Sequence, residues 1–131
     1  MAETKFSTQA LTAPSILSTV AGIDLKAVAT TNLYTVPTGK VAIITEVLIR
    51  ITTATALTIT STLGVGVAAG EADIMASTAL VGLTLLGGVY RFSCEGTYVS
   101  VAAASVIKLG VDTGATATTA TGEVTLIGFL L

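Results

Sequence analysis

The chain has 131 residues, of which 52% are apolar and 11% charged, with a net charge of −2 and no histidine or tryptophan. This length fits one domain, and the six scattered lysine and arginine residues argue against a nucleic-acid partner. Without histidine there is no Ser-His-Asp or Cys-His unit, and one cysteine with carboxylates is a poor zinc ligand set. We therefore expect no enzyme, no metal and no cofactor.

The low charge has a second consequence. An ordinary soluble domain carries about 25% charged residues, so this chain has little charge with which to cover its surface, and such surfaces usually associate. The alternative is that threonine, serine and glycine supply the polarity. Uncharged stretches such as residues 51–70 are rich in threonine and glycine, which favours strands over a membrane helix.

The first 20 residues show no clean period, and Pro14 holds the preceding residue extended. We expect an extended N-terminal arm over residues 1–20 and a single domain over residues 21–131. A disordered tail over the first eight residues is the alternative. The start of the chain lacks a basic segment followed by an apolar run, so it predicts no signal peptide.

From Gly22 the pattern becomes that of strands. "VPTG" predicts a turn with Pro37 at the second position and Gly39 at the fourth, and the longest strand follows it. Its predicted core face consists of Val41, Ile43, Thr45, Val47, Ile49 and Ile51. Its other face, Ala42, Ile44, Glu46, Leu48 and Arg50, mixes apolar and charged residues in a way typical of interfaces. Glu46 and Arg50 lie about 13 Å apart along a strand, so we expect each to pair with a neighbouring strand.

Beyond this strand the signals are shorter. Glu71 and Asp73 suggest one helical turn over residues 71–77, and Gly87-Gly88 and "DTG" at 112–114 predict hairpin turns. Cys94 is interpreted as a small buried hydrophobe. In the closing strand, Val124, Leu126 and Leu130 alternate with Ile127, Phe129 and Leu131, which predicts burial on both faces.

Together these signals predict an all-β fold, an antiparallel β-sandwich or jelly-roll of about eight to ten short strands. The segment "LYTVPTGKVAIITEVLIRITTATALTIT" (33–60) resembles virion structural proteins of tailed bacteriophages, in which a similar turn leads into a long strand. "AGEADIMASTALVGLTLLGGVYRF" and the closing "VTLIGFLL" resemble the same proteins.

The resemblance implies a capsid decoration (cement) protein, made in the host cytoplasm and placed on the capsid surface. Such a protein is a homo-oligomer, usually a trimer, that binds the major capsid protein and bridges neighbouring capsomers. The alternatives are a tail, neck or fibre component and a module that binds a glycan or host surface. The residues expected at the interface are Ile44 and Leu48 in the long strand, Ile127 and Phe129 in the closing strand, and Leu11, Ile16 and Leu17 in the arm.

Overall fold

The computed structural model describes residues 14–68, 71–80, 86–94 and 99–131. Within these ranges the chain forms nine strands in two antiparallel sheets that pack face to face, which confirms the predicted β-sandwich. The strands are β1 (Ser15–Asp24), β2 (Thr30–Thr35), β3 (Ala42–Thr55), β4 (Thr62–Gly66), β5 (Met75–Ala79), β6 (Val89–Ser93), β7 (Val99–Val101), β8 (Val106–Thr113) and β9 (Thr119–Leu130).

Sheet A has the order β1-β9-β3-β6, and β7 also pairs with β3; sheet B has the order β2-β8-β4-β5. β7 pairs with Ala42–Ile44 and β6 with Glu46–Arg50, so the two short strands follow one another along the same edge of β3. The nine described strands therefore fill four positions in each sheet. Because most connections pass from one sheet to the other, the arrangement is that of a jelly-roll.

The core lies between the sheets and consists of β-branched and leucine side chains from both. It includes, with little or no exposed surface, Val47, Ile49 and Ile51 of β3, Leu63 and Val65 of β4, Ile107 and Leu109 of β8, and Val124 and Leu126 of β9. These residues alternate along their strands with more exposed ones, as expected of a sheet with one buried face.

A β-bulge at Thr45 changes which side of β3 faces the core. Ile44 pairs with Gly128 and Glu46 with Ile127, so Thr45 is an extra residue in β3. Its hydroxyl donates a hydrogen bond to the Ile127 carbonyl at 3.1 Å. Simple alternation placed Ala42 and Ile44 on the outer face, and this is wrong, because both are fully buried. After the bulge, the core-facing assignment of Val47, Ile49 and Ile51 is confirmed.

The turn at Pro37 exists but is shifted by one residue. The Lys40 amide donates to the Pro37 carbonyl at 3.1 Å, which places Pro37 at the first position and Gly39 at the third. Gly39 has a φ of +76°, the conformation for which glycine is favoured at that position. The turn carries the chain from β2 in sheet B to β3 in sheet A.

The hairpin predicted at residues 112–114 and the predicted helical turn are wrong. β8 and β9 belong to different sheets, so residues 112–114 do not join paired strands. The hairpin predicted at Gly87-Gly88 stays a prediction, because residues 81–85, most of its first strand, lie outside the described residues. Gly87 and Gly88 exchange backbone hydrogen bonds with Ile51 of β3 at 2.8 and 2.9 Å. The chain bends over residues 71–74 and enters β5 at Met75, so no helix forms over 71–77.

The predicted arm is in part a strand of the sandwich. β1 begins at Ser15 and pairs with β9 along most of its length, so the suggested boundary after residue 20 falls inside a strand. Residues 1–13 lie outside the described residues, and the arm stays a prediction there. The division into an arm and a single domain is likewise left as a prediction.

Candidate contact surface

The outer face of sheet A carries a mixture of apolar and charged side chains from four strands. Strand pairing and burial assign to it Ile16 and Thr19 of β1, Glu123, Thr125 and Ile127 of β9, Glu46, Leu48 and Arg50 of β3, and Val89, Arg91 and Ser93 of β6. All of them are exposed or half-buried, in contrast to the core-facing residues between them.

The apolar residues of this face form a diagonal stripe across the sheet. Ile16 lies opposite Ile127, and both lie in the row that contains Glu46. Leu48 lies one row further along β3, and Val89 lies one row beyond it on β6. Ile16 is 66% exposed and Val89 54% exposed, so the ends of the stripe offer the most apolar area to a partner.

An ion pair lies on each side of the stripe. Arg91 donates two hydrogen bonds to Glu46, from Nη2 to Oε1 at 2.6 Å and from Nε to Oε2 at 3.1 Å. Arg50 approaches both oxygens of Glu123 with Nη2 at 3.4 Å. The prediction that Glu46 and Arg50 pair with neighbouring strands and not with each other is therefore confirmed. Since the arginine side chains are more than half exposed, these pairs add little to stability.

The outer face of sheet B is covered by the chain itself over the middle strands β4 and β8. Residues 67–68 and 71–74, here called the strap, lie over Gly64 and Gly66 of β4 and Gly110 of β8. A Cβ on Gly64 would lie 2.5 Å from the Glu71 carbonyl oxygen, and one on Gly110 would lie 2.7 Å from Glu71 Oε2. At Gly64 the contact could be relieved only by moving the strap backbone, whereas at Gly110 the flexible Glu71 side chain could shift, so Gly64 is the glycine on which the close approach of the strap depends most.

Polar contacts fix the strap in place. The Asp73 carboxylate accepts hydrogen bonds from the amides of Val67 at 2.7 Å and Ala68 at 3.3 Å. The Ile74 amide donates to the Val65 carbonyl at 2.9 Å, which continues the strap into sheet B. The two carboxylates of the strap suggested a helix N-terminus in the sequence. In the structure the Asp73 carboxylate accepts hydrogen bonds from backbone amides, and the Glu71 carboxylate lies against Gly110.

The described residues assemble no recognisable reactive centre. They contain no group of three or more cysteine and carboxylate side chains that could hold a metal ion. Cys94 is buried, as predicted, and burial, with a smaller effect from the negative charge of Glu46, raises the pKa of its thiol. No helix in the described part of the chain is long and apolar enough to cross a membrane.

The structure brings together three of the residues expected at an interface and separates the others. Ile16, Leu48 and Ile127 share the outer face of sheet A. Leu17 is half-buried and packs against the core, and Leu11 lies outside the described residues. Ile44 has no exposed surface in this chain, because the bulge at Thr45 turns it inward. Ile44 therefore offers no surface to a partner in this conformation, and its expected role as a contact residue stays a prediction.

Phe129 lies opposite Ile43 and is only 5% exposed, so it offers little area to a partner in this conformation. Sequence reasoning missed Val89 and Arg91. Both follow the Gly87-Gly88 pair, but their place beside β3 depends on the pairing of β6 with β3, which the sequence did not predict.

Comparisons with known proteins identify the same fold in two phage structures. No protein-family model matches the chain, and no curated protein matches it. A chain of the cyanophage Pam1 capsid asymmetric unit is similar with a TM-score of 0.58 and 21% identity, over 89% of this chain and 83% of that one. A chain of the acidic stable capsid structure of Helicobacter pylori bacteriophage KHP30 is similar with a TM-score of 0.61 and 12% identity, over 90% of each. At these identities the likeness shows a shared fold.

Proposed function

We propose that this protein is a structural component of a phage virion, and specifically a decoration (cement) protein on the outside of the capsid. The observation that carries the proposal is the fold shared with chains of two phage capsid structures over about nine-tenths of the sequence. The sequence resemblance to virion structural proteins of tailed phages points the same way. In this role the protein forms a homo-oligomer, for which the resemblance favours a trimer, and binds the major capsid protein.

The mechanism of such a protein is contact. Each Å² of apolar surface removed from water contributes roughly 25 cal/mol before the costs of association. The outer face of sheet A offers an apolar stripe, and its four charged residues already pair within the chain. The cost of desolvating unpaired charges at the contact is therefore small. A shell repeats such a contact many times, and linked contacts reinforce one another. Bridging neighbouring capsomers would therefore raise the resistance of the whole shell to rupture.

The residues proposed to make these contacts are Ile16, Leu48 and Ile127. Leu11, Leu17 and Phe129 stay predicted contact residues that the described structure does not test. Because a decoration protein must touch both its own copies and the shell, we expect more than one surface to be used.

The experiment compares shells carrying the wild-type protein with shells carrying Ile16→Asp together with Leu48→Asp. Both substitutions place a carboxylate in the proposed contact, so we expect lower occupancy on the shell and a lower rupture temperature. Ile59→Asp is the matched control, because Ile59 is an apolar residue that is 61% exposed and lies outside sheet A.

Equal rupture temperatures for shells with and without the protein would contradict the cement role. Imaging of intact particles at subunit resolution then decides between the alternatives. Density at the tail, neck or fibres would favour a component of those structures, and absence from the particle would contradict the virion assignment.

A further inference from the structure

Two of the four charges on the outer face of sheet A, those of Glu46 and Arg50, are arranged in a self-complementary pattern. Glu46 and Arg50 lie on β3 two residues before and two residues after Leu48, and all three point outward. Rotation by 180° about a line that crosses the strands at Leu48 exchanges the positions of Glu46 and Arg50. We propose that this face docks on the same face of a second copy of the chain about such a two-fold axis.

In this arrangement β3 of one copy runs antiparallel over β3 of the other, and the two Leu48 side chains meet at the axis. Each Glu46 then lies over Arg50 of the second copy. Since Glu46 already binds Arg91 and Arg50 already binds Glu123, every contact links two ion pairs into a row of four charges of alternating sign. The two copies of Arg91 also face each other near the axis, and each is held toward its own Glu46 at 2.6 Å.

The charge balance of the face favours a second copy over another kind of partner. Its two glutamates and two arginines sum to zero, so the face has no net attraction for a strongly acidic or strongly basic surface. The outer face of sheet B is less suited to such a contact, because the strap covers its middle strands, β4 and β8. A self-complementary patch of this kind suits a two-fold contact, whereas a trimer closes through two different patches.

The area of the face sets the strength of the contact. β1, β9, β3 and β6 have 10, 12, 14 and 5 residues, and with strands about 4.8 Å apart and a rise of about 3.3 Å the face measures roughly 650 Å². A standard interface buries about 800 Å² on each partner. The expected product is therefore a dimer that forms and dissociates with concentration. It can coexist with a trimer built on another surface, and it would then join one trimer to the next.

The test uses two charge variants of the whole chain. E46K/E123K makes the face entirely positive and R50E/R91E makes it entirely negative, so each should repel its own copies. By sedimentation velocity we expect the wild type to dimerise with rising concentration and each variant to associate at least about tenfold more weakly. An equimolar mixture of the two variants should form a heterodimer.

The matched control is K40E/K108E, which changes the net charge as much as R50E/R91E but lies in a turn and in sheet B. It should associate like the wild type, and circular dichroism checks that every variant is folded. A wild type that stays monomeric would overturn the proposal. So would variants that self-associate normally, or a mixture that stays monomeric. None of these results depends on the role in a virion, which the shell experiment tests separately.

A cross-linking experiment locates the axis. In a Cys94→Ser background, which removes the only cysteine, Leu48→Cys should be joined between copies by a short bis-maleimide, because facing sheets pack about 10 Å apart. Ile59→Cys, at an exposed site outside sheet A, should not. Equal cross-linking of both would place the contact elsewhere and overturn the proposed axis.

Discussion

On sheet B the strap covers the outer face over β4 and β8, whereas on sheet A the outer face is formed by side chains that point into solvent. The covered face depends on glycines, which let the strap approach the strands. The open face depends on side chains of intermediate size and both charges. The difference shows that one sandwich can satisfy one of its outer surfaces internally and leave the other for contact with another molecule.

The strongest test of this contrast compares Ile44→Ala with Leu48→Ala. Both residues belong to β3, but Ile44 has no exposed surface and Leu48 lies half-buried on the outer face. We expect Ile44→Ala to lower the free energy of unfolding by about 2–5 kcal/mol, through lost burial and the cavity left behind. Leu48→Ala should cost less than about 1.5 kcal/mol. Chemical denaturation measures both, and equal losses would contradict the bulge at Thr45.

The next largest effect is expected at the glycines under the strap. Gly64→Ala places a methyl group against the Glu71 backbone oxygen, which can move only with the strap, so it should cost about 1–3 kcal/mol. Gly110→Ala meets mainly the flexible Glu71 side chain, and the reduced freedom of the unfolded chain offsets part of the strain. Thermal unfolding should rank Gly64→Ala as the more damaging change. The opposite order would show that the strap is held by its side chains.

A smaller effect is expected from the ion pairs on sheet A. A double-mutant cycle with Glu46→Gln and Arg91→Gln should give a coupling of about 0.2–1 kcal/mol that falls with added salt, because Arg91 is largely exposed. The Arg50 and Glu123 pair, at 3.4 Å, should couple more weakly. A coupling well above this range would mean that the pairs stabilise the chain itself and do not mainly serve a contact.

The smallest effect concerns Cys94, at the edge of sheet A. Because its pKa is raised in the folded chain, the folded state keeps the thiol proton at a pH where the unfolded state has lost it. Its contribution to stability is therefore present below about pH 8.5 and declines as the pH rises further. The wild type should lose slightly more stability than Cys94→Ala between about pH 8 and 10. An identical decline in both would contradict the raised pKa.

The residue pattern was sufficient to predict the strands but not their partners. β-branched residues in alternation predicted the sandwich, and the separation of Glu46 and Arg50 along one strand predicted that each would bind a neighbouring strand. The partner of β8 was misassigned because residues 112–114 look like a hairpin turn whether the next strand joins the same sheet or the opposite one. Local turn chemistry carries no information about that choice.

The candidate surface was predicted only in part for a related reason. Ile16 of the arm and Leu48 and Ile127 of the strands were predicted as contact residues, and the structure places all three on the outer face of sheet A. Ile44 was assigned to the wrong face because one extra residue in a strand exchanges the two faces of that strand. A threonine at position 45 is not a sequence signal for a bulge. Val89 joins the surface only through the register of β6 on β3, which is a property of the folded sheet.

The position of β9 affects how the protein can be made. β9 is the last described strand in the sequence, yet it lies in the middle of sheet A between β1 and β3. During translation, about a hundred residues separate the synthesis of β1 from that of its neighbour β9, since Ser15 pairs with Gly128. Sheet A therefore cannot assemble on the ribosome until β9 has emerged, and until then the apolar edges of β1 and β3 need protection from aggregation.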